Sequence, residues 1–322
     1  MASDADARWL AAAAALAERA RPASRPNPAV GAIITRGGVV VGRGWTQKGG
    51  RPHAEAAALA QAGDAARGAT LHVTLEPCAH RSDRGPACAD LVAASGIARA
   101  VIGTLDCDPR TSGHGMDRLR VAGIDAICAD DPSARASLAG YFTSRELGRP
   151  HVTLKLATSL DGRIALPSGE SRWITGPEAR AHAHRERARA DAILVGGQTL
   201  RTDSPSLDVR LPGLAASSPA RWVLTRGVVP DGRTAIPAPE AIGGFAYPQV
   251  QYLLVEGGGG AAAAFLRAGL VDRLLIYRAP ILIGDGTPAL GDIGLAALAD
   301  AHGRWRMVDR RVLGRDTLEI FE

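Results

Sequence analysis

Lysine, aromatic residues and cysteine are all scarce in this chain of 322 residues. Of its 38 basic residues only Lys48 and Lys155 are lysines and 36 are arginines, and with 33 acidic residues the net charge is +5. Aromatic residues make up 4% of the sequence, and the basic residues form no dense run. Clustered cations interleaved with stacking rings, which hold nucleic acids, are therefore missing, and we expect no nucleic-acid partner.

The sequence also has no long hydrophobic run. Arg, Asp, Gly or Pro interrupts every apolar stretch before it reaches the roughly 18 to 20 residues that span a bilayer. The alanine-rich start carries Asp4, Asp6 and Glu18, so it resembles a capped amphipathic helix rather than a signal peptide. We expect a cytoplasmic protein without a membrane partner, whose four cysteines stay reduced and available for metal binding or catalysis.

Composition and boundaries indicate two α/β domains. A hydrophobic fraction of 46% and a charged fraction of 22% are typical of globular proteins, and the length allows two hydrophobic cores. Apolar runs alternate with helical patterns throughout, which predicts layered α/β domains with crossover connections. Gly148 and Pro150 follow a predicted helix and precede a predicted strand. We therefore predict a first domain at 1–146, a linker at 147–150 and a second domain at 151–322.

Turn residues and helix-capping residues indicate where the predicted helices and strands begin and end. In the first half we predict strands at 30–34, 39–41, 70–75, 98–105 and 124–128, and helices at 52–62, 88–94, 116–121 and 132–144. Pro52 is placed at the first position of its helix, and Gly63 follows its end. In the second half we predict strands at 151–157, 192–195, 221–224, 252–255, 273–279 and 318–321, and helices at 177–190 and 261–268. The stretch 227–248, rich in Pro and Gly, is predicted to be a loop.

One constellation in the first half is typical of a catalytic zinc site. His53 and Glu55 stand at a predicted helix start, Cys78 follows Pro77 at a strand end, and Cys88 opens the next helix. One imidazole and two thiolates leave the fourth tetrahedral position open for water, whose pKa a zinc ion lowers toward 7. Glu55 is placed to move protons without being a ligand.

The pattern His-x-Glu followed by Pro-Cys-x-x-Cys is the signature of zinc nucleobase deaminases. Here nine residues separate Cys78 from Cys88 instead of two. The whole first domain resembles the deaminase half of the bacterial bifunctional deaminase-reductases of riboflavin biosynthesis. That resemblance rests on the motifs at 25–31, 53–55, 74–80 and 86–88.

The resemblance implies a cytidine-deaminase-like α/β/α domain that acts on a small pyrimidine ribosyl-phosphate. It assigns Asn27 to the pyrimidine and His80 and Arg84 to the neighbourhood of the phosphate, which the planar fork of an arginine suits. Ala87 stands where the family has a second proline. Two cysteines outside the motif, Cys107 and Cys128, are predicted to be packing residues.

The second half carries glycine turns between strands and helices. The glycines at 257–260 follow the strand 252–255 and precede a helix, an arrangement that can cradle a phosphate but also occurs as an ordinary tight turn. A second glycine turn follows the strand at 192–195. Residues 154–162, 168–175, 191–196, 199–210 and 255–258 resemble the reductase half of the same family, which implies a dihydrofolate-reductase-like α/β domain that uses NADPH.

The resemblance also assigns the site residues of this second domain. Its NADPH contacts are Ala157, Trp173, Thr199, Asp203, Gly258, Gly259 and Gly260. Its contacts to the ribosyl-phosphate substrate are Ser171, Arg187, Leu207, Arg210 and Glu256. For Trp173, plain packing in the core is an alternative, because a buried indole needs no ligand.

Lys155 stands out because 36 of the 38 basic residues in the chain are arginines. Burial can bring the pKa of a lysine amine near neutrality, whereas an arginine guanidinium stays charged. We hypothesise that Lys155 hydrogen-bonds or protonates the sugar oxygen during hydride transfer, with Asp203 nearby. Lys48, next to Gly49, is predicted to be a solvated loop charge.

Two departures from the family fall in the reductase half. Thr225 and Arg226 stand where the family has Asp-Ser, and Arg226 is a candidate partner of the 2′-phosphate of NADPH. The stretch between Arg233 and Gln251 is shorter than in the family, with a helix and a strand expected to be missing.

Three functions stay open at this stage. The first is a bifunctional enzyme that deaminates 2,5-diamino-6-(5-phosphoribosylamino)pyrimidin-4(3H)-one and reduces the ribosyl chain with NADPH. The second is an active deaminase whose shortened reductase domain is weak or inactive. The third, a nucleic-acid-editing zinc deaminase, predicts tight and salt-sensitive RNA binding. Whether copies of the chain form a homo-oligomer is not decided by the sequence.

Overall fold

The computed structural model describes residues 2–80, 82–245 and 248–322. Arg81, in the predicted loop 79–87, and residues 246–247, in the predicted loop 227–248, lie outside the described residues. The chain forms two compact units, one of residues 2–148 with 248–249 and the other of residues 149–245 with 250–322. The main division therefore falls inside the segment 147–150. Each unit has its own sheet and its own hydrophobic core.

The first unit alternates helices and strands. Its helices are α1 Asp4–Ala17, α2 Ala54–Ala62, α3 Cys88–Ala94, α4 His114–Val121, α5 Pro132–Ser137 and α6 Ala139–Glu146. Its strands are β1 Gly31–Arg36, β2 Val39–Trp45, β3 Thr70–Val73, β4 Arg99–Ile102 and β5 Asp125–Cys128. Short 3-10 turns lie at Glu18–Ala20, Lys48–Gly50 and Gly63–Ala66.

The five strands form one sheet in the order β2-β1-β3-β4-β5. β1 pairs antiparallel with β2 and β3, whereas β3, β4 and β5 run parallel. Helices cover both faces, and glycines on neighbouring strands allow their close approach. A Cβ on Gly31 would lie 2.0 Å from the Ala13 carbonyl oxygen of α1, and one on Gly44 would lie 2.3 Å from the Ala54 oxygen of α2. The unit is therefore an α/β/α layered domain.

An ion-paired polar cluster fastens α1 to the sheet. Asp6 caps its own helix with Ser3 and receives two hydrogen bonds from Arg99 of β4, at 2.8 and 3.0 Å. His72 of β3 lies 3.1 Å from the same carboxylate. Burial opposes ionisation of Asp6, but the bonds from Arg99 and Ser3 outweigh it and hold its pKa far below the usual range.

The second unit begins at the next strand. Its strands are β6 His151–Thr158, β7 Arg163–Ala165, β8 Ala192–Gly196, β9 Ala220–Leu224, β10 Arg233–Ile236, β11 Tyr252–Val255, β12 Arg273–Arg278, β13 Thr287–Pro288, β14 Met307–Leu313 and β15 Asp316–Phe321. Its helices are α7 Pro177–Ala188, α8 Gly197–Asp203 and α9 Gly259–Arg267. Short 3-10 turns lie at Ala215–Ser217, Pro239–Phe245 and Leu298–Ala301.

Eight of these strands form a sheet in the order β10-β9-β8-β11-β6-β12-β15-β14, and β7 pairs with β13 apart from it. The strands from β10 to β12 are parallel, and β15 and β14 are added antiparallel. On β6, Val152 and Leu154 belong to the core that includes α9, whereas Ala157 packs with α7. Because side chains alternate along a strand, Lys155 shares the α7 face with Ala157.

The predicted α/β class and most of the predicted elements are confirmed, and three local predictions are wrong. Pro52 does not start α2, since His53 is extended as the N-cap and the helix begins at Ala54. The single helix predicted at 132–144 is two helices, because Leu138 leaves the helical conformation. The predicted loop 227–248 contains β10, which pairs with the preceding strand β9, and a 3-10 turn. No helix among the described residues is long and apolar enough to cross a membrane.

Candidate active sites

The predicted zinc ligands meet at one point of the first unit. His53 is the N-cap of α2, Cys78 follows β3, and Cys88 is the first residue of α3. The Nδ1 atom of His53 lies 3.6 Å from Sγ of Cys78 and 3.3 Å from Sγ of Cys88. The fold thus brings residues up to 35 positions apart in sequence to one site.

These distances fit a shared zinc ion. Bond lengths of about 2.3 Å to sulfur and about 2.0 Å to nitrogen in a tetrahedral site predict a nitrogen-to-sulfur separation of roughly 3.6 Å. The three ligand atoms lie within 4.8 Å of one another, and both sulfur atoms belong to buried residues. Without a cation, the hydrogen bond between the thiols lowers the pKa of Cys78 and raises that of Cys88, so both ionise together only when a cation shares their charge.

Glu55 lies beside the metal ligands without being counted among them. It is the second residue of α2, and its side chain is buried against the thiols of Cys78 and Cys88. Burial raises its pKa to about 7, while the nearby His53 acts in the opposite direction. A carboxyl group in such surroundings can hold or release a proton near neutral pH.

A cavity of about 190 Å³ opens next to the cluster, and the substrate contacts expected from the family lie in its wall. Asn27, His80 and Arg84 all line it, together with His53 and Glu55. The amide nitrogen of Asn27 lies 2.7 Å from Nε2 of His53 and 3.1 Å from the Gly50 carbonyl oxygen. Asn27 therefore orients the imidazole as well as facing the cavity.

Sequence reasoning assigned no role to several polar residues that line this cavity, among them Glu76, Asp106, Asp108, Arg110 and Tyr141. Glu76 accepts three backbone N–H bonds, from Asp106, Gly113 and Met116, at 3.0 to 3.2 Å. The position of Glu76 inside the motif at 74–80 was the available signal.

Asp106 and Asp108 also line the cavity, and both are paired. The Tyr141 hydroxyl donates to Asp106 at 2.7 Å, and burial raises the pKa of this carboxyl. Arg110 binds Asp108 with two nitrogens, at 3.0 and 2.6 Å, and lowers its pKa to about 2. Cys107, between them, packs partly buried against the core as predicted, whereas Cys128 is exposed at the end of β5, so its predicted packing role is wrong.

In the second unit, Lys155 pairs with Glu256 rather than with Asp203. Its Nζ lies 3.4 Å from Oε2 of Glu256, at the end of β11. Arg187 of α7 holds the same carboxylate with Nε at 2.7 Å and Nη2 at 2.9 Å. Burial alone would raise the pKa of Glu256, but Lys155 and Arg187 outweigh it and lower the value to about 2. Asp203 is exposed at the end of α8.

A second cavity, of about 470 Å³, collects most of the residues expected around the reductase substrate. Lys155, Ser171, Arg187 and Arg210 line it, and Ala157 and Trp173 do so as well. The Trp173 side chain is 59% exposed, and the guanidinium of Arg180 lies 4.7 Å from its ring centre. Plain core packing of Trp173 is therefore wrong.

The remaining expected residues lie elsewhere in the second unit. Gly258 is the N-cap of α9, and a Cβ on it would lie 3.4 Å from Oγ1 of Thr199, so the two glycine turns adjoin. Arg226 is exposed just after β9. The side chain of Leu207 is buried in the core with Ile193, so only its backbone, in the left-handed region at φ +58°, is left for a ligand.

Comparison with known proteins gives matches over both units. Residues 3–104 match the family model of the cytidine and deoxycytidylate deaminase zinc-binding region, and residues 150–237 and 245–318 match that of the RibD C-terminal domain. The riboflavin biosynthesis protein RibD of Aquifex aeolicus is 36% identical over 98% of both chains, and that of Escherichia coli is 37% identical over 97% of both.

Solved structures agree with these matches. A RibD structure from Acinetobacter baumannii is 31% identical, covers 98% of both chains and superposes with a TM-score of 0.83. A diaminohydroxyphosphoribosylaminopyrimidine deaminase/5-amino-6-(5-phosphoribosylamino)uracil reductase from Thermotoga maritima is 28% identical, with a TM-score of 0.86 over 99% of this chain and 98% of that one. The full-length matches do not favour a reductase half that is weak because it is shortened.

Proposed function

The chain belongs to the RibD family of bifunctional riboflavin biosynthesis enzymes, and we propose that residues 1–146 carry its deaminase reaction and residues 151–322 its reductase reaction. Membership makes the chain a zinc-dependent deaminase and an NADPH-dependent reductase. The proposed substrate is 2,5-diamino-6-(5-phosphoribosylamino)pyrimidin-4(3H)-one. The observation that carries the first assignment is the meeting of one imidazole and two thiols beside a cavity.

In the deaminase domain, His53, Cys78 and Cys88 would hold the zinc ion. A zinc ion bound there lowers the pKa of a water molecule toward 7 and so supplies a nucleophile at neutral pH. Hydrolytic deamination needs a group that takes a proton from water and returns it to the ring and the departing ammonia. Glu55 is that group, because its carboxyl is buried next to the ligands with a pKa of about 7. Asn27 contacts the pyrimidine, and His80 and Arg84 lie toward the phosphate.

In the reductase domain, Lys155 would donate a hydrogen bond or a proton to the sugar oxygen. NADPH, when bound, supplies the hydride. Glu256 holds the Lys155 ammonium group at the wall of the cavity. The same carboxylate also holds the guanidinium of Arg187 at this wall. The other proposed substrate contacts are Ser171, Arg210 and the backbone of Leu207. The proposed NADPH contacts are Ala157, Trp173, Thr199, Asp203, Arg226 and the glycines 258–260.

A coupled assay on the zinc-loaded chain tests this division. Ammonia release from the pyrimidine substrate reports the first reaction, and NADPH oxidation on the deaminated product reports the second. Glu55→Ala is expected to lower ammonia release at least 100-fold, a typical contribution of a positioned acid-base group, with zinc content and NADPH oxidation unchanged. Ammonia release at the normal rate would remove Glu55 from the mechanism.

We also propose that the chain acts on a small molecule without a nucleic-acid partner and works in the cytoplasm. Scattered arginines and few aromatic residues support a small-molecule substrate without nucleic acid; salt-sensitive RNA binding would contradict this. A reducing cytoplasm suits thiols that must stay free for a metal, and cell fractionation tests that location. Size-exclusion chromatography with light scattering would establish whether the chain forms the homo-oligomer left open by its sequence.

A further inference from the structure

Two arginines brace the rim of the deaminase cavity from opposite loops. Arg51 follows the turn Lys48–Gly50, and Arg84 lies in the segment between Cys78 and Cys88. Nη2 of Arg84 donates to the Gly49 carbonyl oxygen at 2.6 Å, and Nη1 of Arg51 donates to the Pro86 carbonyl oxygen at 3.1 Å. Each guanidinium thus bonds to the backbone of the loop that carries the other, and both line the cavity.

Neither of these two charges is neutralised by an acid within the part of the chain that the structure describes. Apart from Glu55, which lies beside the metal ligands, the carboxylates that line the same cavity are already engaged. Asp108 holds Arg110, Asp106 accepts from a tyrosine and from backbone, and Glu76 accepts three backbone N–H bonds. The rim therefore keeps two uncompensated positive charges next to the cavity.

We propose that Arg51 and Arg84 together clamp the phosphate of the deaminase substrate, and that Arg51 determines the preference for a phosphorylated over a dephosphorylated pyrimidine riboside. This rests on the proposed deaminase function of the cavity. The family resemblance assigns a phosphate neighbour only at Arg84; the position of Arg51 comes from the fold.

The chemistry of guanidinium groups supports the clamp. Each group has five N–H donors in a planar fork, and the bond to a carbonyl leaves most of them for a ligand. Arginine forks match phosphate oxygens in pairs, which is the geometry that two opposed loops can offer from two sides. His53 and Glu55 line the same cavity, so one ligand can reach the zinc ligands and the arginines together.

The test compares two substrates on the full zinc-loaded chain: the phosphorylated pyrimidine and its dephosphorylated riboside. Arg51→Gln is expected to lower kcat/KM for the phosphorylated substrate roughly ten- to hundredfold, mainly through KM, as expected for loss of a charged hydrogen bond. For the riboside, kcat/KM should stay within about twofold of that of the unmutated chain, because this substrate has no phosphate for Arg51 to bind. Arg51→Lys should restore part of the preference. Arg43 is an exposed arginine of β2 outside the cavity, so Arg43→Gln is the matched control. It should leave kcat/KM unchanged for both substrates.

Equal losses on both substrates would overturn the proposal, because they would show that Arg51 only braces the loop that leads to Cys88. No loss on either substrate would overturn it as well. Inorganic phosphate provides a readout that needs no catalysis: the clamp predicts that Arg51→Gln weakens phosphate binding about tenfold or more by calorimetry, at unchanged zinc content. A chain that binds phosphate through Arg51 but releases ammonia from neither substrate would refute the deaminase function and leave the clamp standing.

Discussion

Replacing Glu256 by glutamine is expected to destabilise the reductase domain by about 3 kcal/mol at neutral pH. The carboxylate is buried between Arg187, at 2.7 and 2.9 Å, and Lys155, at 3.4 Å. Despite its burial, these cations lower its pKa from 4.5 to about 2. At about 1.4 kcal/mol for each pKa unit, the difference corresponds to ~3.4 kcal/mol. Removing one partner of a buried ion pair typically costs about 3 to 5 kcal/mol, which agrees.

The two pKa values of Glu256 also determine how the stability loss in Glu256→Gln depends on pH. A carboxyl group whose pKa is depressed by folding stabilises fully above its unfolded value, here 4.5, and loses this contribution as the pH falls toward about 2. The difference in unfolding free energy between the unmutated chain and Glu256→Gln should therefore be constant above about pH 5.5. By pH 3.5 it should shrink to roughly 2 kcal/mol, from the same two pKa values.

Urea unfolding followed by hydrogen exchange in peptides from β6 and β11 measures this difference within the reductase domain alone. Glu240→Gln, at an exposed position of the same domain, serves as control and should change the unfolding free energy by less than about 0.5 kcal/mol. Equal stability of the unmutated chain and Glu256→Gln, or a difference that does not shrink in acid, would refute the assigned ion pairs.

Three further predictions concern the two reactions. Cys88→Ser should abolish stoichiometric zinc binding by metal analysis and ammonia release with it, while NADPH oxidation on the deaminated product continues; full zinc occupancy would contradict the ligand set. Lys155→Arg should lower reductase turnover at least tenfold, because a guanidinium does not release its proton, and near-normal turnover would exclude the proton-donor role. Arg226→Ser should reduce the preference for NADPH over NADH roughly tenfold or more, and an unchanged ratio of kcat/KM values would separate Arg226 from the 2′-phosphate.

The zinc ligands could be found from the sequence because each sits where a local rule places it. His53 precedes a helix, Cys88 opens one, and Cys78 lies five residues after the end of a strand, and all three positions are confirmed to meet. Helix starts and strand ends lie at the same edge of a layered α/β domain, so spacing and element type are enough to predict the meeting point.

The partner of Lys155 could not be found in the same way. Its side chain faces Glu256, 101 residues away, because β6 and β11 are neighbours in the sheet and α7 covers that face. Asp203, which the sequence interpretation placed near Lys155, lies exposed at a helix end. Strand order is a property of the folded sheet, and no local pattern encodes it.

The exposure of single residues also depends on the fold. Trp173 and Cys128 were both compatible with packing by their type, yet both are exposed, whereas Leu207 is buried although the family resemblance placed it at the substrate. Residue type gives a tendency toward burial, while the neighbours that cover a side chain are chosen by the tertiary structure.

By itself, the sequence determined the two α/β halves and the zinc ligands with Glu55, and it singled out one lysine in a chain rich in arginine. These depend on composition, periodicity and spacing along the chain. Only the tertiary structure decided that Lys155 and Arg187 share Glu256, and that Arg51 and Arg84 brace opposite loops of one cavity. Such pairs join residues far apart in sequence, and their electrostatic energy depends on distances and burial that exist only after folding.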